Sequence, residues 1–305
     1  MSGEFKDLAI AFDQDAIFAL NIAIGFIMFG VALGIQKSEF SEMKRNPKSV
    51  FVGVVSQFFL LPFFTFLVVM LIKPLPELAL GMILVAASPG GNVSNFFSQQ
   101  SKGNIALSVT LTAIASIAAV FMTPFNFELY GNFYLSLLED QQTAAVIKMD
   151  FLDILETIFF ILVIPLVSGL LVTIKFPEIT KKIKKPISTI SFLILIIIIV
   201  MGLSNNVDVF KAYYKYIIVL VLVHNAVAFA VGYTSGKLAR LPYKDIRTIT
   251  IETGIQNSGL SLAIIFAVFD GNGGMALLAA WWGIWHLISG SAISFFFKRA
   301  NAKTV

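Results

Sequence analysis

Apolar runs recur along this chain about every 30 positions, separated by short polar stretches, and each is close to the roughly 20 residues that a helix needs to cross a bilayer. The runs predict spans near residues 16 to 36, 49 to 72, 78 to 101, 104 to 125, 151 to 174, 187 to 204, 214 to 236, 246 to 269 and 274 to 297. Membrane β-strands need only about 9 to 11 alternating residues, so runs of this length argue against a barrel. Residues 194 to 200 are β-branched apart from Leu195 and would suit a strand in water, but in lipid the backbone must satisfy its own hydrogen bonds, which favours a helix. The predicted class is an all-α polytopic membrane protein with about nine transmembrane helices.

Two of these spans are polar near their middles. The third carries Ser88, Pro89, Gly90, Gly91, Asn92, Val93, Ser94 and Asn95, and the eighth carries Glu252, Thr253, Gly254, Ile255, Gln256, Asn257, Ser258 and Gly259. Proline removes a backbone donor and paired glycines tolerate non-helical dihedrals, so PGG reads as a break in the third span, while a single Gly254 among polar neighbours makes a weaker case in the eighth. Each follows a span with a buried polar load, Gln57 in the second, His224 and Asn225 in the seventh. Interrupted helices of opposite direction at matching places in two halves predict an inverted-repeat transporter with its site at the midplane. The first repeat covers about 16–130 and the second about 151–298, within one transmembrane domain over 1–305.

Composition agrees, with 57% hydrophobic and 13% charged residues among 305 and a mean hydropathy of +0.86. Large soluble domains are excluded. The net charge of +4 does not mark a nucleic-acid binder, because the basic residues lie in short loops rather than on one face. Of the 22 Lys and Arg, only Lys6, Lys73, Lys148, Lys211 and Lys215 fall on one side of a nine-span topology. That asymmetry predicts an N-terminus outside and a C-terminus in the cytoplasm. Glu4, Asp7, Asp13 and Asp15 leave no basic leader, so a cleaved signal peptide is not expected. There are no cysteines, hence no thiolate metal site or Cys nucleophile.

Glu252 is the one acidic residue deep inside an apolar segment; Asp153, Glu156 and Asp270 lie near outer ends. A carboxylate at a helix centre costs about 3 kcal/mol on insertion scales and needs a partner: a proton, a base such as His224, or a bound cation. Neutral oxygens on Gln57, Ser94, Asn95, Ser108, Thr112 and Gln256 favour a hard cation such as Na⁺. Ser108 and Thr112, four apart, share a helix face. HExxH, GxSxG, P-loop and GxGxxG motifs are all missing, and two histidines, His224 and His286, are too few for metal catalysis, so an enzyme is not expected. A serine in residues 289 to 291 with His286 could formally make a hydrolase pair, though that spacing is common packing. Trp281, Trp282 and Trp285 could stack on a ligand, with an interfacial position favoured for the first two.

The motifs ASPGGNVSN, GNIALSVTLT, LVHNAV, LPYKDIRTITIETGIQNSGLS and WHLISGS, spread over most of residues 20 to 297, resemble the bile acid:sodium symporter family in order and spacing. The resemblance implies a core domain with two crossing broken helices, a panel domain, and sodium-coupled import of an organic anion by alternating access. It implies two sodium sites. One would use Ser94, Asn95, Ser108, Thr112 and Glu252; the other Gln57, Glu252 and Gln256 with main-chain carbonyls of Thr253 and Ile255. A substrate cavity is implied near Asn92, Val93, Asn257 and His286. Asn92 stands where many bacterial relatives have Thr, and Leu287 where they often have Asn. The expected partners are a small organic anion, sodium and the lipid bilayer, in a bacterial inner membrane. Bacterial members often carry ten spans, and the chain reads as lacking the first. The alternatives are a proton-coupled carrier using Glu252 and a membrane sensor that does not transport.

Overall fold

The computed structural model describes residues 14–34, 41–91, 93–138, 156, 159–204, 207–269 and 271–302. These residues are almost entirely helical: α1 (Gln14–Ala32), α2 (Ser41–Arg45), α3 (Pro47–Ile72), α4 (Pro76–Ala87), α5 (Val93–Gln100), α6 (Ile105–Ser136), α7 (Ile164–Lys175), α8 (Pro177–Ser204), α9 (Val207–Leu238), α10 (Tyr243–Gly254), α11 (Ser258–Val268) and α12 (Gly273–Ala302). Among the described residues four stretches are long and apolar enough to cross a membrane: Pro47–Ile72, Ile105–Ser136, Tyr214–Leu238 and Gly273–Arg299. The third and eighth spans expected from the sequence are each two half-helices, α4 with α5 and α10 with α11.

Local chemistry sets the ends. Prolines at the starts of α3, α4 and α8 sit where a missing N–H costs nothing. Lys73, in the left-handed region at φ 51°, closes α3. Asn104, Asn257 and Asn272 place a side-chain oxygen on the N–H three residues on, at 3.2, 3.0 and 3.1 Å, capping α6, α11 and α12.

Several helices outrun the sequence expectation. α6 continues to Ser136 rather than stopping near 125, α8 begins at Pro177 rather than 187, and α9 begins at Val207 rather than 214. The hydrophobic run reports the thickness of the hydrocarbon layer, whereas the hydrogen-bonded helix can continue beyond it. Most of the expected fifth-span start, 151–155 with 157 and 158, lies outside the described residues, as do Asn92 and Asp270.

Burial separates the half-helices from the long ones. α4 and α11 are buried almost from end to end and form the apolar core with the first half of α12. The long helices present phenylalanines outward. Phe121, Phe125 and Phe133, on one face of α6 with Leu129, are exposed, as are Phe51, Phe59, Phe63 and Phe64 on α3. This is an apolar surface for lipid. α1 packs against α7 and α8, with Gly30 facing Ser191 and Gly169 facing Ala32.

The breaks meet each other. Gly91 N–H donates to the Ile255 carbonyl at 2.9 Å and Asn257 N–H donates to the Pro89 carbonyl at 2.8 Å, around an antiparallel bridge between Gly90 and Gln256. The two broken helices therefore cross through their unwound backbones, and these donors and acceptors satisfy each other within the protein. The paired glycines serve close approach rather than unusual dihedrals, because neither has positive φ. A Cβ on Gly90 would lie 3.1 Å from the Glu252 carboxylate, and one on Gly91 3.2 Å from the Gln256 carbonyl.

Candidate functional site

The crossing gathers polar side chains from four helices. Glu252, near the end of α10, is buried, and its carboxylate accepts from Ser94 Oγ on α5 at 2.6 Å, from Ser108 Oγ on α6 through a very short contact, and from Thr112 Oγ1 on α6 at 3.1 Å. Thr112 Oγ1 lies 3.4 Å from Asn95 Oδ1 and 3.5 Å from Ser94 Oγ. The structure thus brings together all five side chains of one oxygen cluster, and the i, i+4 spacing puts Ser108 and Thr112 on one face as expected. Three hydroxyl donors offset part of the cost of burying the charge. The donor set is one carboxylate among neutral oxygens, which fits a hard monovalent cation. Among the described residues no three His, Cys, Asp or Glu side chains gather as transition-metal ligands.

Gln57 and Gln256 form a second cluster beside the first. Gln57 Nε2 donates to Gln256 Oε1 at 2.8 Å and Gln256 Nε2 to Gln57 Oε1 at 3.2 Å. Gln57 lies in a π-helical turn of α3, Ser56–Leu60, a local widening that recurs at functional sites. The carbonyls of Thr253 and Ile255 accept from Gln256 Nε2 at 2.7 Å and from Gly91 N–H at 2.9 Å. In this conformation the two amides hold each other, Gln256 also holds the Thr253 carbonyl, and Gly91 holds that of Ile255.

The carbonyl orphaned at each break has a matching donor. Gln57 Nε2 donates to the Ser88 carbonyl at 2.8 Å, and Asn225 Nδ2 donates to the Gly254 carbonyl at 2.8 Å. His224, in contrast, is not a partner for Glu252. Its Nε2 lies 2.8 Å from Thr65 Oγ1, and its ring centroid lies 4.5 Å from that of Trp282. Trp282 is wholly buried, which corrects the interfacial expectation, while Trp281 and Trp285 are partly buried. An aromatic-belt reading uses only position along the span, whereas the face of α12 that carries Trp282 is turned to α9.

Val93 begins α5, and Asn257 caps α11 through its Oδ1. His286 is buried in α12, and among the described residues its Nδ1 has no hydrogen-bond partner. Ser289 Oγ donates to the His286 carbonyl at 3.4 Å and Ser291 Oγ to the Leu287 carbonyl at 2.7 Å, so both serines bond their own helix as packing serines do.

Sequence reasoning missed a further buried polar group, about two helical turns from Glu252 along α10. Asp245 accepts from Ser49 Oγ at 2.6 Å and from Asn104 Nδ2 at 2.9 Å; Arg247 Nη1 donates to the Ser101 carbonyl at 3.0 Å with its guanidinium 4.5 Å from the Tyr243 ring. It also missed the contact of Ser88 with Ser261, whose hydroxyls meet at 2.8 Å, and Asn126, which donates to the Phe58 carbonyl of the π turn at 2.9 Å. The available signal was the face shared by Asp245, Thr248 and Glu252 at helical spacing.

Opposed half-helices that cross at unwound, mutually bonded backbone, with a buried carboxylate among hydroxyls, define a polytopic helical membrane transporter rather than an enzyme. Residues 21–213 match the model of the Sodium Bile acid symporter family. The chain is 30% identical over 284 residues to the "Uncharacterized sodium-dependent transporter YocS" of Bacillus subtilis, covering 93% of this chain and 84% of that protein. It is 29% identical over 297 residues to the "Probable sodium/metabolite cotransporter BASS2, chloroplastic" of rice, covering 97% and 67%. It is 25% identical over 253 residues to the "Ileal sodium/bile acid cotransporter" of rabbit, covering 82% and 70%. The chain belongs to the Sodium Bile acid symporter family. It is a multi-pass, sodium-coupled membrane transporter.

Proposed function

We infer that this transporter imports an organic anion together with sodium, by alternating access between two inverted repeats over about 16–130 and 151–298. The observation that carries the reading is the Glu252 carboxylate ringed by the hydroxyls of Ser94, Ser108 and Thr112. A hydroxyl that now donates to the carboxylate can rotate and offer a lone pair to a cation, while Glu252 neutralises its charge. One sodium ion takes this cluster with Asn95. A second takes Gln57, Gln256, Glu252 and the carbonyls of Thr253 and Ile255, after the two amides release one another.

The repeat reading is supported by reciprocity at the crossing. Residues 89 to 91 stand to 255 to 257 as each other's mates, and Gln57 on Ser88 is matched by Asn225 on Gly254. Asn104 and Asn272 cap the helix that follows each second half-helix. The Lys and Arg bias of alternate loops supports an outside N-terminus and a cytoplasmic C-terminus, and the resemblance to bacterial family members supports a bacterial inner membrane.

The anion is assigned to the starts of α5 and α11, near Asn92, Val93 and Asn257 with His286 alongside. Both half-helices begin at the crossing, where the N-terminal end of each carries a partial positive charge that favours a carboxylate or sulfonate. The test is uptake of a panel of carboxylates and steroid conjugates into proteoliposomes under an imposed sodium gradient, a potassium gradient or a pH gradient. Accumulation driven by sodium alone supports the reading. Accumulation driven by pH alone, or ligand binding with no uptake, overturns it.

A further inference from the structure

The oxygens around Glu252 come from three elements, α5, α6 and α10, and the four-residue loop at 101–104 joins the first two. That loop is seated on the third. Asn104 N–H donates to Thr248 Oγ1 at 2.8 Å and Thr248 Oγ1 donates to the Asn104 carbonyl at 3.1 Å. Asn104 Nδ2 donates to Asp245 at 2.9 Å, and Arg247 Nη1 donates to the Ser101 carbonyl at 3.0 Å. Gly103 lies so close that a Cβ there would come within 2.6 Å of Thr248 Oγ1. Asp245 is itself buried and takes Ser49 Oγ at 2.6 Å from the first turn of α3, the helix that also carries Gln57.

The spacing aligns this contact with the oxygen cluster. Asn104, Ser108 and Thr112 follow one another at intervals of four along the start of α6, and Asp245, Thr248 and Glu252 follow at intervals of three and four along α10. All six lie along a single interface between two helices. Asn104 therefore meets Asp245 and Thr248 below the level at which Ser108 and Thr112 meet Glu252. A sliding or turning of α6 against α10 cannot move the upper contacts without breaking the lower ones.

We propose that Asn104, Asp245 and Thr248 form a clamp that sets the register of α6 on α10, and so act as positioning residues for cation binding at Glu252. The proposal rests on the reading that the Glu252 cluster takes sodium. The clamp groups are engaged with one another and with their own helices: each Asp245 oxygen accepts one hydrogen bond, from Ser49 and from Asn104, and Asn104 uses its Oδ1 to cap α6. Loss of the clamp leaves every cluster oxygen present but lets the two rows shift.

The test titrates sodium against the melting temperature of the purified, detergent-solubilised full chain, with potassium replacing sodium at constant ionic strength. Thr248→Val removes the hydroxyl that bridges Asn104 while keeping the shape, and should raise the half-saturating sodium concentration about threefold to tenfold, the equivalent of one positioning hydrogen bond. Asn104→Asp sets a second carboxylate against Asp245 and should raise it further. Adding Asp245→Asn to that variant reverses donor and acceptor and keeps the cap, so it should return sodium dependence to near wild type. Glu252→Gln is titrated in parallel. If Thr248→Val lowers the melting temperature in potassium but leaves half-saturating sodium unchanged, while Glu252→Gln abolishes the sodium response, the clamp is packing and the proposal is wrong. If Glu252→Gln keeps a wild-type sodium response, the cation reading fails and the clamp with it. Should Asn104→Asp not fold, the reversed pair and Thr248→Val carry the same decision.

Discussion

Ser94 and Glu252 stand 158 positions apart in the chain, yet the serine hydroxyl donates to the carboxylate at 2.6 Å. The contact joins the second half of one broken helix to the first half of the other. A carboxylate buried without such donors would cost several kcal/mol. The crossing of the two breaks is therefore what makes a charge at this depth tolerable.

Glu252→Gln keeps the shape and one acceptor oxygen but removes the charge. Sodium-driven uptake in proteoliposomes is expected to fall at least about tenfold, since neutral oxygens alone hold a hard cation poorly. Uptake near the wild-type level would remove Glu252 from the coupling site.

Asn95→Ala and Thr112→Ala each delete one oxygen beside the carboxylate and leave the apolar core alone. Both are expected to raise the sodium concentration for half-maximal uptake several-fold. Unchanged sodium dependence in two folded variants would reduce these residues to helix packing.

Asn225→Leu takes away the amide that satisfies the Gly254 carbonyl, at 2.8 Å in a buried setting. The orphaned acceptor should cost about 1–3 kcal/mol, seen as a lower melting temperature in sodium and in potassium alike.

Gly232→Ala would bring a Cβ to 2.7 Å from the Ile249 carbonyl and 2.8 Å from Thr250 Cα. Both are backbone atoms, so α9 and α10 must separate. A loss of about 1–3 kcal/mol is expected, with weaker sodium binding because α10 carries Glu252. Thermal unfolding with and without sodium measures both effects.

Asn257→Ala removes the cap on α11, where Oδ1 accepts from Leu260 N–H at 3.0 Å, and should cost about 1 kcal/mol whether or not an anion is present. A loss of anion affinity beyond that change in stability would mark the side chain as a substrate contact. Transport of the methyl ester of the best substrate as fast as the acid would contradict anion recognition at the half-helix starts.

The sequence by itself determined the solvent of this protein and the identity of its polar centre. Apolar runs of span length can be satisfied only by helices in lipid, and a lone carboxylate among amides and hydroxyls stands out there because its burial is costly. The breaks were legible for the same reason, as PGG and the polar run after Glu252 interrupt patterns that lipid enforces. Tertiary structure decided which polar groups meet. Ser94, Ser108, Thr112 and Glu252 belong to three helices, and the crossing of Gly91 on Ile255 and of Asn257 on Pro89, together with the packing of α6 on α10, fixes their mutual distance. Helical periodicity names a face but not the neighbour it packs against. Sequence alone therefore leaves His224 open as a partner for Glu252 and Trp282 open as interfacial; the place of His224 against Thr65 and Trp282, and the burial of Trp282, decide both. The clamp at Asn104, Asp245 and Thr248 lay at the edge of two predicted spans, where hydropathy loses its contrast. A buried polar contact there differs from a solvated loop only in three dimensions.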